Sequence, residues 1–440
     1  MKRFTKLFAA SIALITVVTA TLSMSSCKYK DPVELPQEDN PPFGSFDYSK
    51  RAFFANQASP EGYCVYKNDV YFLSDNMLLM RAPLTELEND LRETRNQKPP
   101  QAYCVCPENT HNHDHWLEVS EDCPAWLCDP WSLFLIDAYE SAGDFPIIYS
   151  TQSYNATINE SVWDQSATYG VYRYDTGKAE RECLAMMNVP VSQIMTYDQW
   201  VFFVTLNSKD EYQLNVVLKQ GGEITTITVG KGEIALLGAY NGRVIFRDKD
   251  DAVYQVGFDL KNCQKIFQAP EMYSNLADFQ GLFVHGKYLY YPTDYGVIPY
   301  PLNEDGTQVA NLLQHSVRRI SLDNPNGESE LVVDNVLDYN MYGVSEDVFY
   351  YSPCIAGETV KGCYYNFTGG ILKGVNLNTL EAVELNEEVG LDFCYGSFVS
   401  GNAVIGVAFP VRKGYHLKVD DSLTCLYDIR TGALYSLDYS

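Results

Sequence analysis

The stretch Tyr240-Asn241-Gly242-Arg243-Val244-Ile245-Phe246 decides the fold, because a polar turn leads directly into a short strand of β-branched and aromatic residues. A second strand, Val253-Tyr254-Gln255-Val256-Gly257-Phe258-Asp259, follows it and ends in Asp, a turn residue. The second strand alternates with a period of two, as a half-buried β-strand requires. Asn, Asp and Gly supply the tight turns that join antiparallel strands. This stretch therefore predicts a β-meander.

The same unit recurs about seven times along the chain, which is the signature of a repeat architecture. The other first strands share its aromatic and β-branched composition: Val70-Tyr71-Phe72-Leu73, Ile147-Ile148-Tyr149-Ser150, Trp200-Val201-Phe202-Phe203, Tyr288-Leu289-Tyr290-Tyr291, Val348-Phe349-Tyr350-Tyr351 and Ala403-Val404-Ile405-Gly406. A unit of this size cannot bury its apolar face alone, so the copies must pack against one another. The repeats predict an all-β fold, a β-propeller with seven blades in a single ring and with six or eight blades as the alternative counts.

The predicted propeller domain spans residues 51–440. A pair of two-layer β-sandwiches is the alternative, but no Pro-, Ser- or Gly-rich linker follows residue 50. An insertion that starts after Leu84 blurs the blade boundaries between Thr85 and Phe145. The segment Arg51-Ala52-Phe53-Phe54-Ala55 is a candidate to pair within the last blade and seal the ring.

The first 26 residues have the pattern of a secretory signal. Lys2, Arg3 and Lys6 precede an apolar run, which ends in small residues before Cys27. The segment Met24-Ser25-Ser26-Cys27 resembles the cleavage site of bacterial lipoprotein signals, which implies cleavage before Cys27 and a diacylglyceryl thioether on its sulfur. An uncleaved membrane anchor is the alternative, although the run is short for a span and rich in Ser and Thr.

Residues 27–50 then read as a tether, because proline and acidic residues keep this segment extended and solvated. We therefore expect a lipid-anchored protein on the extracytoplasmic face of the cell membrane. The chain carries 57 acidic and 32 basic residues, a net charge of −25. Such an excess of acid argues against nucleic acid as a partner.

One segment at about residues 100–130 is dense in cysteine and histidine, and it lies between the first two predicted blades. Its candidate metal ligands are Cys104, Cys106, His111, His113, His115, Cys123 and Cys128. Thiolates and imidazoles are the donors that zinc takes in four-coordinate sites. The spacing is not that of a standard zinc finger.

Three readings of this segment stay open on the sequence. The first is two disulfides among its four cysteines, the second is a structural zinc, and the third is a catalytic metal. Eleven cysteines remain besides Cys27, so at least one is unpaired, metal-bound or intermolecular. Cys354 and Cys363 flank one predicted loop and are a further candidate bridge.

Together, the lipoprotein signal, the strand-turn-strand blades and the insertion resemble the bacterial TolB-like β-propeller lipoproteins. The insertion carries this resemblance through Cys106-Pro107, His111 or His113, and Cys123-Pro124. The resemblance covers nearly all of the mature chain. It implies architecture and export, and it implies no known activity.

The sequence names no catalytic residue. No Gly-x-Ser-x-Gly elbow and no phosphate-binding Gly-rich loop occurs. We expect His285, His315 and His416 to be surface or turn histidines rather than catalytic bases. The tyrosines of the repeats either pack between blades or stack on a sugar or peptide ligand.

Three functions are therefore consistent with the sequence. The first is a binding or scaffold module for an envelope protein, a peptide or a glycan, recognised by the loops of the propeller. The second is an extracytoplasmic enzyme that acts on polysaccharide or peptide, with its site at the central channel. The third is a metal-binding protein that uses the Cys/His insertion.

Overall fold

The fold was taken from a computed structural model. It describes residues 56–57, 63–67, 69–74, 78–83, 102–106, 123, 125, 132–142, 145–154, 168–270, 282–301, 309–353, 371–385, 391–393, 397–400, 403–410, 423–429 and 432–437. The predicted signal peptide, the tether and the segment 51–55 lie outside the described residues.

Six antiparallel sheets make up the described part of the chain. The first four are built from consecutive strands: β2 (Tyr63–Tyr66), β3 (Asp69–Leu73), β4 (Leu79–Pro83) and β5 (Tyr103–Cys104) in the first; β6 (Phe134–Ala142), β7 (Phe145–Tyr154), β8 (Thr168–Asp175) and β9 (Glu180–Met187) in the second; β10 (Val191–Tyr197), β11 (Trp200–Leu206), β12 (Tyr212–Leu218) and β13 (Thr225–Gly230) in the third; β14 (Ala235–Tyr240), β15 (Arg243–Arg247), β16 (Ala252–Gly257) and β17 (Gln264–Gln268) in the fourth. The short strand β1 (Asn56–Gln57) adds to the free side of β6.

The fifth sheet has seven strands, and the last sheet has five. The fifth contains β18 (Phe283–His285), β19 (Tyr288–Pro301), β20 (Val309–Ser321), β21 (Glu330–Ser345), β22 (Val348–Pro353), β23 (Lys373–Asn376) and β24 (Ala382–Val383). The last contains β25 (Leu391–Phe393), β26 (Phe398–Ser400), β27 (Ala403–Pro410), β28 (Leu423–Asp428) and β29 (Leu434–Ser436), with β25 and β26 both paired to β27. Nowhere in the described ranges does a helix occur that is long and apolar enough to cross a membrane.

This series of up-and-down sheets is a β-propeller, as the sequence predicts. The stretch 240–246 contains the turn of the β14–β15 hairpin and most of β15. Asn241 (φ 48°) and Gly242 (φ 72°) both take the left-handed conformation that a two-residue turn between antiparallel strands requires. Val244, Ile245 and Phe246 of β15 are buried.

The long strand β21 belongs to two four-stranded units of the fifth sheet. Its first half pairs with β20, and its second half pairs with β22. Register shifts separate the two halves. Dividing the sheet within β21 turns six sheets into seven units; the number of blades in the whole chain stays a prediction.

Packed faces of the sheets meet in six apolar clusters. Four clusters join consecutive sheets from the second to the last, and a fifth lies between the two units of the fifth sheet. The remaining cluster joins the first sheet to both the second and the last: it contains Tyr71, Ile136 and Ile405. The first strands of successive sheets also contact one another. The copies therefore bury one another's apolar faces, as a propeller requires.

The first and last sheets meet at a seam that no shared strand crosses within the described residues. The Val65 N–H of β2 donates a buried hydrogen bond to Ser400 Oγ of β26 at 2.9 Å. Ser400 Oγ also lies 3.7 Å from Cys64 Sγ. The described strands of the last sheet all come from residues 391–436. The predicted sealing segment lies outside the described residues, and the next residues, Asn56–Gln57, pair with β6 of the second sheet.

Tyrosines of the repeats lie in the interior. Tyr290 is 0% exposed and stacks on Phe283 with ring centroids 4.8 Å apart. Tyr291 and Tyr350 are also buried. For these three residues, packing between sheets is confirmed over ligand stacking.

The two edges of the sheets differ. At one edge, the short-turn edge, first strands end and second strands begin, and third strands end and fourth strands begin. The stretches of sequence between these strand ends are short, apart from 84–102: 67–68, 143–144, 176–179, 198–199, 219–224, 241–242, 258–263, 286–287, 322–329, 346–347, 377–381, 401–402 and 429–433. At the opposite edge, the long-connection edge, second strands end and third strands begin, and each sheet leads to the next. The longest stretches of sequence between these strand ends are 105–133, 155–167, 269–282, 302–308, 354–372 and 411–422.

Candidate metal centre

Three cysteines of the insertion come together at the long-connection edge. The Sγ atoms of Cys104, Cys106 and Cys123 all lie within 4.8 Å of one another, and we call these residues the thiol cluster. Cys104 Sγ and Cys123 Sγ are 3.8 Å apart. No other group of three or more Cys, His, Asp or Glu side chains in the described part of the chain has this compactness.

Backbone hydrogen bonds around Leu79 position the thiol cluster. Leu79 opens β4, and its N–H donates to the Ala125 carbonyl at 2.9 Å. Its carbonyl accepts the Val105 N–H at 3.1 Å. The chain therefore leaves the first sheet after Cys106 and returns to the same residue at position 125. This return places Cys123 beside Cys104, although 18 positions separate the two in the sequence.

The thiol cluster is shielded from water by the first two sheets. Cys123 is 0% exposed and Cys106 is 5% exposed, whereas Cys104 is half-buried. Tyr174 of β8 closes one side, where its hydroxyl donates to the Val105 carbonyl at 3.3 Å. Burial and the nearby sulfurs raise the pKa of Tyr174, so its hydroxyl stays protonated.

The surroundings of the cluster raise the pKa of two of its thiols. Hydrogen bonds to Cys106 and Cys123, with burial, raise the pKa of Cys104 far above its ordinary value. The hydrogen bond with Cys104 lowers the pKa of Cys106. The hydrogen bond with Cys123 and burial outweigh this effect and raise the pKa of Cys106 to about 12. Without a cation these thiols remain protonated. A bound metal supplies the positive charge that thiolates need.

The donor set fits a soft metal. Three sulfur donors at this separation could hold a metal ion. Thiolates select soft or borderline metals such as zinc, and a tetrahedral zinc site needs one further ligand.

The structure brings together three of the seven predicted ligands. The other four, His111, His113, His115 and Cys128, lie outside the described residues. No described cysteine is disulfide-bonded. The Cys104–Cys123 separation of 3.8 Å exceeds the length of a disulfide bond, which is about 2.05 Å. The candidate bridge Cys354–Cys363 lies outside the described residues.

A second polar group lies between the second and third sheets, near the short-turn edge. Lys219, which follows β12, pairs with Asp137 of β6 and lies 3.5 Å from Glu140. Arg173 of β8 binds Glu140 at 2.6 Å. The Tyr149 hydroxyl donates to Glu140, and Lys219 Nζ lies 5.5 Å from the Tyr149 ring centroid. These five residues form the charged network.

The charged network joins the second sheet to the third sheet. Each carboxylate in it has a cationic partner, because Asp137 pairs with Lys219 and Glu140 pairs with Arg173. The sequence does not predict the charged network, because Asp137 and Lys219 are 82 positions apart and neither stands in a motif. No sequence signal short of the fold itself pairs them.

The prediction that His285 and His315 are surface or turn histidines is wrong, because both side chains are buried. His315 of β20 is only 1% exposed, and its Nε2 lies 3.1 Å from Met341 Sδ. His285 borders the turn at 286–287 but is buried, with its Nε2 2.8 Å from Asp347. Burial lowers the pKa of both, and that of His315 to about 4. The third, His416, lies outside the described residues.

No protein family model and no curated protein matches the sequence. Among solved structures, the propeller domain of the Trilobed protease from Pyrococcus furiosus matches with a TM-score of 0.40 and 10% identity, over 68% of this chain and 82% of that one. TolB from Acinetobacter baumannii matches with a TM-score of 0.32 and 12% identity, over 66% and 68%. An oligogalacturonate lyase in complex with manganese matches with a TM-score of 0.32 and 10% identity, over 79% and 94%. At such low values, no activity or ligand of these proteins is transferred to this chain.

Proposed function

We propose that this protein is a lipid-anchored, extracytoplasmic β-propeller that binds an envelope protein, a peptide or a glycan at its long-connection edge. The anchor is the lipid on Cys27, and the tether of residues 27–50 holds the propeller away from the bilayer. A structural zinc at the thiol cluster completes the proposal. No catalytic step is proposed.

The observation that carries this proposal is the position of the tryptophans in the sequence. Four of the five stand between strands whose ends lie at the long-connection edge: Trp116, Trp126 and Trp131 between β5 and β6, and Trp163 between β7 and β8. Tryptophan offers a large apolar face and an N–H donor, which suits a sugar ring or a peptide. Loops on a rigid scaffold are the usual place for recognition.

Capture from cell-envelope extract tests the binding role. Soluble protein that starts at Lys50 is immobilised, and the bound material is analysed for protein and for glycan. A variant with residues 155–167, which include Trp163, shortened to a two-residue turn between the paired Tyr154 and Thr168 should lose most of the captured material. A matched variant with new residues in the turn 322–329 of the short-turn edge should keep it. Equal capture by both variants would contradict the assignment of the binding edge.

Fractionation tests the anchor separately. We expect the full chain to sediment with membranes and Cys27→Ala to lose the lipid, as read by the mass of the N-terminal peptide. An unmodified Cys27 thiol in the membrane-bound protein would contradict the proposed lipid on Cys27, whatever the capture experiment shows.

Elemental analysis tests the metal. Protein purified under reducing conditions should carry about one zinc per chain, as expected for a site with thiolate ligands. Cys123→Ala should abolish zinc binding, whereas Cys263→Ala, at an exposed position remote from the cluster in sequence, should not. Zinc-free wild-type protein would refute the metal.

A further inference from the structure

We propose that Cys104 and Cys123 form a disulfide that replaces the metal at the thiol cluster under oxidising conditions, while Cys106 remains a thiol. The proposal rests on the zinc site of the proposed function and adds a second chemical state of the same residues. It also assigns one pairing among the three that the cluster allows.

Geometry favours this pair over Cys104–Cys106. The Cys104 and Cys123 sulfurs are 3.8 Å apart, so a movement of about 2 Å forms the bond. Both residues stand on backbone held at Leu79, through Val105 on one side and Ala125 on the other. A bridge between Cys104 and Cys106 would instead close a small ring around Val105, whose carbonyl accepts the Tyr174 hydroxyl.

The solvent exposure of the three cysteines determines which thiol reacts with the oxidant first. Cys104 is the most accessible of the three sulfur-bearing residues, whereas Cys123 is fully buried and Cys106 nearly so. An oxidant therefore reaches Cys104 first. Cys123 lies beneath it, in the position of a resolving thiol.

The oxidant of this reaction is a small-molecule or protein disulfide, which accepts the two electrons that are lost when the Cys104–Cys123 bond forms. The Cys104 thiolate attacks one sulfur of that disulfide, forms a mixed disulfide and expels one thiolate. The Cys123 thiolate then attacks Cys104 Sγ and expels the second thiolate. Two electrons pass to the oxidant, which ends as two thiols. The metal ion leaves because two of its three thiolate ligands in the cluster are consumed.

Both states hold the stretch 107–122 closed at its ends. In one state the metal joins Cys104 and Cys106 to Cys123, and in the other the disulfide joins Cys104 to Cys123. Either link closes a loop of fewer than 20 residues and so restricts the unfolded chain. The long-connection edge therefore keeps one of its anchors in both redox states.

The test uses the full chain in detergent, loaded with zinc under reducing conditions and then treated with excess oxidised glutathione. We expect zinc to fall from about one per chain to below about 0.1, with a Cys104–Cys123 peptide appearing in equal measure by mass spectrometry. Reductant and zinc should restore the first state. Cys104→Ser should abolish the disulfide, and Cys263→Ser, which removes an exposed background thiol, should leave the exchange unchanged.

The two proposals fail in different ways. Zinc that stays bound after oxidation, or a bridge from Cys104 or Cys123 to Cys106 or Cys128, overturns this inference and leaves the metal site standing. Protein that binds no zinc when reduced overturns the metal site and the exchange together. If Cys104→Ser lowers the thermal melting temperature of the protein sharply, the wild-type peptide map alone decides the pairing.

Discussion

The short-turn edge and the long-connection edge are held by different chemistry. Near the first, ionic and backbone groups join neighbouring sheets: the charged network, and the hydrogen bond from Val65 to Ser400 that closes the seam. Towards the second, soft donors are buried: the thiol cluster, and the contact of His315 with Met341. Ion pairs and hydrogen bonds therefore join the sheets at the first edge, whereas the second edge concentrates sulfur groups that respond to metals and oxidants.

Removing the Lys219 ammonium group should produce the largest loss of stability, and a small loss would contradict the role given to ion pairs at the short-turn edge. Lys219→Met leaves the buried Asp137 carboxylate without its ammonium partner, so we expect a loss of about 3 to 5 kcal/mol in the free energy of unfolding. Denaturant titration measures it. The matched control is Lys178→Met, whose ion pair with Asp175 has a lysine side chain 68% exposed, and it should cost less than about 1 kcal/mol. Similar losses from both variants would refute a special role for the network.

Acid should weaken the protein through His315. Its folded pKa of about 4 lies below the ordinary value of 6.5, so the unfolded chain binds the proton first as the pH falls. The stability that the neutral imidazole contributes is complete above pH 6.5 and decreases by about 3 kcal/mol as the pH falls to 4. His315→Gln should flatten the pH dependence over this window, measured as the difference from wild type by denaturant titration at each pH. Parallel curves would contradict the assignment.

The seam at Ser400 should give a smaller effect. Ser400→Ala removes the acceptor of the buried Val65 N–H, and we expect a loss of about 1 to 3 kcal/mol. Thermal melting measures it.

Ser400→Cys sharpens the same test, because the new thiol would lie next to Cys64. Oxidation should form a bridge that raises the melting temperature, and reductant should reverse the gain. A variant that melts alike with and without reductant would argue against the contact between the first and last sheets.

The turn at Asn241 and Gly242 should give the smallest effect. Gly242→Ala places a Cβ at φ 72° and should cost about 1 kcal/mol. Asn241→Gly, one residue earlier at φ 48°, should change the stability by less than about 0.5 kcal/mol. Denaturant titration of both variants checks whether the short-turn edge depends on left-handed turn geometry.

The sequence predicts the repeats well because their signal is local. Hairpins such as 240–246 combine turn residues with a strand of the correct period, and both features act over a few positions. The thiol cluster was predictable in part: the clustering of cysteines marks Cys104, Cys106 and Cys123 as candidates, but only the return of the chain to Leu79 brings them together. The link between Asp137 and Lys219 has no local signal, since it depends on how two sheets pack.

The histidines show where such reasoning fails. His315 was expected at the surface because an isolated histidine without a motif resembles a solvated one. His315 is only 1% exposed because it lies opposite Val336 in the β20–β21 ladder. No short window of sequence contains both residues.

The strand β21 has a consequence for how the two units of the fifth sheet are joined. Because Glu330–Ser345 runs through both units as one strand, continuous backbone links them with no loop between. A residue inserted within this strand would therefore disturb the register of both ladders at once.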